Sequence, residues 1–160
     1  MRGSFIFLLI VVISCNKNLP ETDTENEYPV ELSLSQEIDR LNEMRLLWFS
    51  HHISSYLITQ QVSCFCVYEY TQPKVFRVIN NQLQTINGES FEENYPTEYL
   101  TILEAFDFIE VKLNEAPHEI RISYNSTYGF PESFYFDMDE MVADEEIDFT
   151  FSNFSVLEIN

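Results

Sequence analysis

Twice along this chain the spacing of apolar residues changes from a helical period to strict alternation. Ser33 and Gln36 have capping-box spacing. Leu34, Ile38, Leu41, Met44 and Trp48 then recur every three or four residues, with Glu37, Asp39, Glu43 and Arg45 at the opposite, wet positions. This predicts a helix over residues 34–51 with one apolar face. From Ser54 the period is two, and Tyr56, Ile58, Val62, Cys64 and Cys66 fall on one side of an extended strand. Residues 74–79 and 82–86 are two further short strands. Asn80 and Asn81 lie between them, and asparagine tolerates the positive φ of a tight hairpin turn. A polar loop containing Gly88 follows.

The same order then returns. Thr101 and Glu104 form a second capping box, and Leu103, Phe106, Ile109 and Leu113 continue at helical spacing up to Pro117. Three alternating stretches follow: Ile120, Ile122 and Tyr124; Phe134, Phe136 and Met138; Ile147, Phe149 and Phe151. Alternation means one buried and one wet face, which is the signature of antiparallel sheet. The expected fold is therefore α+β, two helices packed on a mostly antiparallel sheet in the order α-β-β-β-α-β-β-β. Residues 34–160 form a single domain in this reading. The order of elements repeats, but the residues themselves do not.

Charge sets the next bound. The chain has 27 Asp plus Glu against 8 Lys plus Arg, a net charge of −19. Such a surface repels phosphate backbones, so a nucleic-acid partner is not expected. Disorder is not expected either, because 14 Phe and 9 Tyr supply ample material for a core.

The amino terminus carries an address. Arg2 precedes the apolar run from Phe5 to Ile13, and Ser14 and Cys15 close it. The run is too short to span a bilayer, which takes about 20 helical residues. It fits a cleaved export signal of the bacterial lipoprotein type over residues 1–14, with Ser14 as the small residue at the cut. Cys15 would then be the new amino terminus and carry the acyl chains that anchor it to a membrane. Residues 15–33 are polar and acidic, with two prolines, and read as a flexible tether. The expected location is the bacterial cell envelope, on its periplasmic face or at the cell surface.

Cys64 and Cys66 remain after lipidation, an even number, as suits an oxidising compartment. In a strand their α-carbons would lie about 6.5 Å apart, near the ~6.8 Å limit for a disulfide, so a bridge needs a local bend. A structural bridge is the first reading. Packed free thiols, a redox pair and a metal site are the others. A zinc site would need about four ligands, and the chain has no second cysteine pair. His51 and His52 are adjacent, which on a helix points them apart, so they read as helix-end residues. Asp137, Asp139, Glu140, Asp144, Glu145 and Glu146 lack the glycine of a calcium-binding EF-hand loop and read as a solvated acidic turn. Tyr128, Gly129, Phe130 and Pro131 make a structured loop whose aromatic residues either cap the core or form a contact patch. Three glycines in all leave no phosphate-cradling loop. No metal or cofactor is expected.

Two segments resemble a family of bacterial lipoproteins known as domain of unknown function 6174. One is Trp48, Ser55-Tyr56 and Cys64-Phe65-Cys66. The other runs from Tyr124 to Asp137 and includes Tyr128-Gly129-Phe130-Pro131. The helix opening Thr101-Ile102-Leu103-Glu104-Ala105-Phe106 and the acidic Ala143-Asp144-Glu145-Glu146 also fit. The chain has Asn125 where that family tends to carry Asp, and Phe130 where it tends to carry Tyr. The resemblance reaches from about the first helix to Phe154. It implies an exported, lipid-anchored domain and supplies no catalytic residues.

These observations lead to a lipid-anchored envelope protein that is not an enzyme and that binds another envelope protein or a peptide. The alternatives are a structural accessory of the envelope and a thiol-redox protein using Cys64 and Cys66.

Overall fold

A computed structural model of the chain describes residues 32–91 and 99–158. The expected signal, Cys15 and the tether up to residue 31 lie outside the described residues.

Helix α1 spans Leu34–Ser50 and opens with the capping box. The Ser33 hydroxyl accepts from the Gln36 amide, and the Gln36 side chain accepts from the Ser33 amide at 2.8 Å. Strand β1 (Tyr56–Ser63) follows, then a single helical turn, α2 (Tyr68–Thr71). Strands β2 (Lys74–Ile79), β3 (Gln82–Ile86) and β4 (Glu89–Ser90) form a meander. Helix α3 spans Ile102–Asn114 and opens with the Thr101–Glu104 box. Strands β5 (Glu119–Tyr124), β6 (Pro131–Asp137) and β7 (Ile147–Val156) complete the order.

The seven strands form one sheet, β4-β3-β2-β1-β7-β6-β5, with every neighbouring pair antiparallel. The last strand therefore lies at the centre, against the first. Tyr56 faces Val156 and Ser63 faces Asp148 along this seam. Each half is a helix followed by a meander, and the β1–β7 seam joins the halves.

Helices α1 and α3 cover one face of the sheet. Arg45 of α1 ties them together, with its guanidinium 2.7 Å from Glu110 and 3.4 Å from Asp107. Under them lies an aromatic core. Trp48 meets Tyr56 edge-on at 5.7 Å, and Phe108 packs against Phe134 and Phe149 at 5.7 and 5.4 Å. Aromatic pairs in this range contribute about 0.5–1.5 kcal/mol beyond their buried area. Two polar side chains of β1 are also buried, and each has a job. The Tyr56 hydroxyl accepts the Ile102 amide at 2.9 Å, and Gln60 Oε1 accepts the Leu100 amide at 2.9 Å. They satisfy donors at and just before the start of α3, which no helical carbonyl reaches.

Four sequence expectations need correction. Cys64 and Cys66 are not strand residues, because β1 ends at Ser63 and the chain bends there. Glu37 is not on the wet face of α1. It is only 7% exposed, because the buried stripe runs through Glu37, Leu41 and Trp48, while Leu34 is exposed. The Gly88 loop is a two-residue hairpin turn, Asn87 at φ 53° and Gly88 at φ 87°, leading into β4. Asn-Gly is a strong signal for that turn. The turn α2 was not expected at all.

Candidate functional site

The sheet face opposite α1 and α3 is built from the wet positions of each alternating strand. Register brings them into rows. One row is Ser123, Ser133, Thr150 and Gln61, with the two serine hydroxyls 2.8 Å apart. The next row, toward the β1 terminus, is Arg121, Tyr135, Asp148 and Ser63. This second row opens into a cleft of about 340 Å³. Cys64 and Phe65, just past β1, line the cleft together with Asp144 and Glu146 from the β6–β7 loop.

Cys64 and Cys66 are joined by a disulfide, with α-carbons 5.3 Å apart. The bend that the spacing demanded is present, closed by a Cys66 amide to Cys64 carbonyl bond of 2.8 Å. The three-residue ring projects Phe65 outward, and its side chain is 83% exposed. Val67 and Tyr68 follow it and are exposed as well. Met141 and Val142 of the β6–β7 loop are also exposed.

The electrostatics of the second row are set by one cation among acids. The Arg121 guanidinium lies over the Tyr135 ring, its Cζ 3.8 Å from the ring centre, and pairs with Glu119. Burial raises the Asp148 carboxyl above its ordinary value, against the pull of Arg121. Desolvation first, then Glu119 and Asp137, hold the Tyr135 phenol above its ordinary value. Among the described residues, no group of three or more His, Cys, Asp or Glu side chains is placed to hold a metal ion.

The loop of Tyr128, Gly129, Phe130 and Pro131 lies at the opposite end of the sheet, so the structure does not bring it to the cysteines. Phe130 and Pro131 are buried and Tyr128 is half-buried. Phe130 contacts Phe154 at 4.7 Å and Trp48 at 6.2 Å. Gly129, at φ 83°, passes so close to α1 that a Cβ would sit 2.4 Å from the Met44 carbonyl. Asn125 organises the loop. Its Oδ1 accepts the Thr127 and Tyr128 amides, and its Nδ2 donates to Glu132 at 2.8 Å. His51 joins from α1, its Nε2–H donating to the Thr127 carbonyl at 2.8 Å. A carbonyl can only accept, which fixes the proton on Nε2. The adjacent His52 is exposed, with its backbone at φ 53°.

Sequence reasoning singled out the two cysteines and the acidic turn, but not Arg121, Tyr135 and Asp148. Each is an unremarkable wet position in its own strand, and only cross-strand register makes them one row.

No curated protein and no solved structure matches the chain. A protein-family model, described as a family of unknown function (DUF6174), matches residues 40–156, which contain every strand and all of the cleft. The chain belongs to that family.

Proposed function

We propose that this domain is a non-catalytic binding module for another protein or a peptide, held at a bacterial cell envelope by acyl chains on Cys15. The observation that carries the binding reading is the cleft at the Cys64 end of the sheet, where a disulfide presents an exposed Phe65 beside a row of charged and aromatic side chains. Exposed aromatic side chains beside a cleft are what binding hot spots are made of. The anchor rests on the apolar run before Ser14-Cys15.

Photo-crosslinking from several surface positions of the full chain in producing cells tests the binding. One saturable adduct supports a binding module. Even, unsaturable labelling of many envelope components contradicts it. Mass spectrometry of the purified chain tests the anchor: a cleaved, acylated Cys15 is expected, and an unmodified thiol there contradicts it.

The polar middle of the open face, with Ser123, Ser133, Thr150 and Gln61, favours a second reading, a structural accessory with no dedicated partner. Even labelling in the same experiment is its signature. A redox role for the Cys64–Cys66 bridge has less support. Asp144, Glu146 and Asp148 beside it disfavour the thiolate through which exchange proceeds. Thiol titration with and without reductant checks this, and a bridge reduced by millimolar glutathione would restore the redox reading.

A further inference from the structure

We propose that the Cys64 end of the sheet docks a basic, apolar segment of the partner protein. A lysine or arginine side chain enters the cleft among Asp144, Glu146 and Asp148, and a neighbouring apolar side chain lies on Phe65. This rests on the binding-module reading and names the chemistry of the partner.

Three observations carry it. The first is charge. Three carboxylates line the cleft against one guanidinium, and Arg121 is already matched by Glu119 and by the Tyr135 ring. The cleft therefore keeps an uncompensated negative charge within a protein of net charge −19. The second is exposed apolar surface on the segments that supply the cleft. Phe65 and Tyr68 are 83% and 77% exposed, and Met141 on the β6–β7 loop is 89% exposed. Single exposed apolar residues are ordinary, but Phe65 lines the cleft itself, Tyr68 follows it by three residues, and Met141 belongs to the β6–β7 loop that also supplies the lining residues Asp144 and Glu146. The third is shape. The cleft of about 340 Å³ has room for one long side chain and is too small for a folded element. Acid and apolar surface together select a cationic, apolar ligand. They repel phosphate groups and anionic lipid headgroups. The carboxylates are not grouped for a metal ion among the described residues. An ammonium or guanidinium is the cation that fits.

Full-chain protein titrated with fluorescent hexapeptides tests this. Alternating Phe and Lys is the probe, with alternating Ser and Lys, and alternating Phe and Glu, as comparisons. At physiological salt the Phe-Lys peptide should bind at least ten times tighter than either. Glu146→Gln with Asp148→Asn should weaken it at least tenfold, and Phe65→Ala at least fivefold. These changes are isosteric or at an exposed side chain, so the fold survives them. Asp39→Asn with Glu43→Gln, on the exposed side of α1, removes the same charge and should change affinity less than twofold. Equal binding of the Ser-Lys peptide, or equal weakening by the α1 pair, would show that net charge alone acts and would overturn the proposal.

A photo-reactive phenylalanine in place of Phe65 or of Val111 separates this site from binding in general. An adduct at 65 that the Phe-Lys peptide competes away supports the proposal. An adduct at 111 alone overturns the site and leaves a binding module. No adduct at 65, or at any other surface position probed, overturns both.

Discussion

Three polar atoms define the tension at the residue scale. Glu37 Oε2, Tyr124 Oη and Arg45 Nε are buried without a hydrogen-bond partner among the described residues. Burial raises the Glu37 carboxyl above its ordinary 4.5, and Arg40 only partly opposes this. A raised folded-state value means that the folded protein holds this proton more tightly than the unfolded chain. The associated stability is present below pH 4.5 and is lost as pH rises through the folded value. Glu37→Gln should therefore raise stability at pH 7 by about 1 kcal/mol, the usual scale for a buried group lacking a partner. Denaturant titrations should show that gain shrinking to nothing as pH falls below 4.5. An unchanged gain at low pH would contradict this. Gly129 makes the opposite case. Gly129→Ala sets a Cβ against the Met44 carbonyl and strains a positive φ, and should cost about 2–4 kcal/mol. Asn125→Asp should cost about 1–2 kcal/mol at neutral pH, because it replaces the Nδ2 donor to Glu132 with a second carboxylate. Urea midpoints measure both.

At the scale of elements, local signals were read well and non-local ones were not. The two capping boxes place both helix starts within a few residues of chain, so Ser33–Gln36 and Thr101–Glu104 mark α1 and α3 without tertiary information. Asn80 and Asn81 take φ 50° and 62°, the turn their side chains tolerate. Gln60 carries no local signal, being polar on an apolar face, and the reason for it, the Leu100 amide, lies 40 residues away. Cys64 and Cys66 continue the alternation of β1 on paper, but the bridge itself bends the chain out of the strand. The β1–α3 contact gives a prediction of its own. Tyr56→Phe removes the acceptor of the Ile102 amide while keeping the ring, and should cost about 1–3 kcal/mol. Hydrogen exchange should show the loss as faster opening at the first turn of α3. Equal protection there in both proteins would contradict the role given to the hydroxyl.

For the whole molecule, alternation and helical period were enough to reach an α+β fold with both long helices on the sheet. They could not give strand order, because pairing β7 with β1 depends on contacts between residues as far apart in the chain as Tyr56 and Val156. The cleft was out of reach for the same reason. Its acidic residues were visible as a run of carboxylates, whereas Arg121, Tyr135 and Asp148 become neighbours only through the register of β5, β6 and β7, and Ser63 joins them only through the β7–β1 pairing. The β1–β7 seam joins the two halves into one sheet, and the proposed binding surface is its Cys64 end. Hydrogen exchange on the full chain, compared between membranes from producing cells and the purified protein, tests that claim most directly. Added protection confined to residues 64–68 and 144–148 in the membranes is the predicted result. Protection spread evenly over the sheet, or gathered at the Tyr128–Pro131 end, would contradict it.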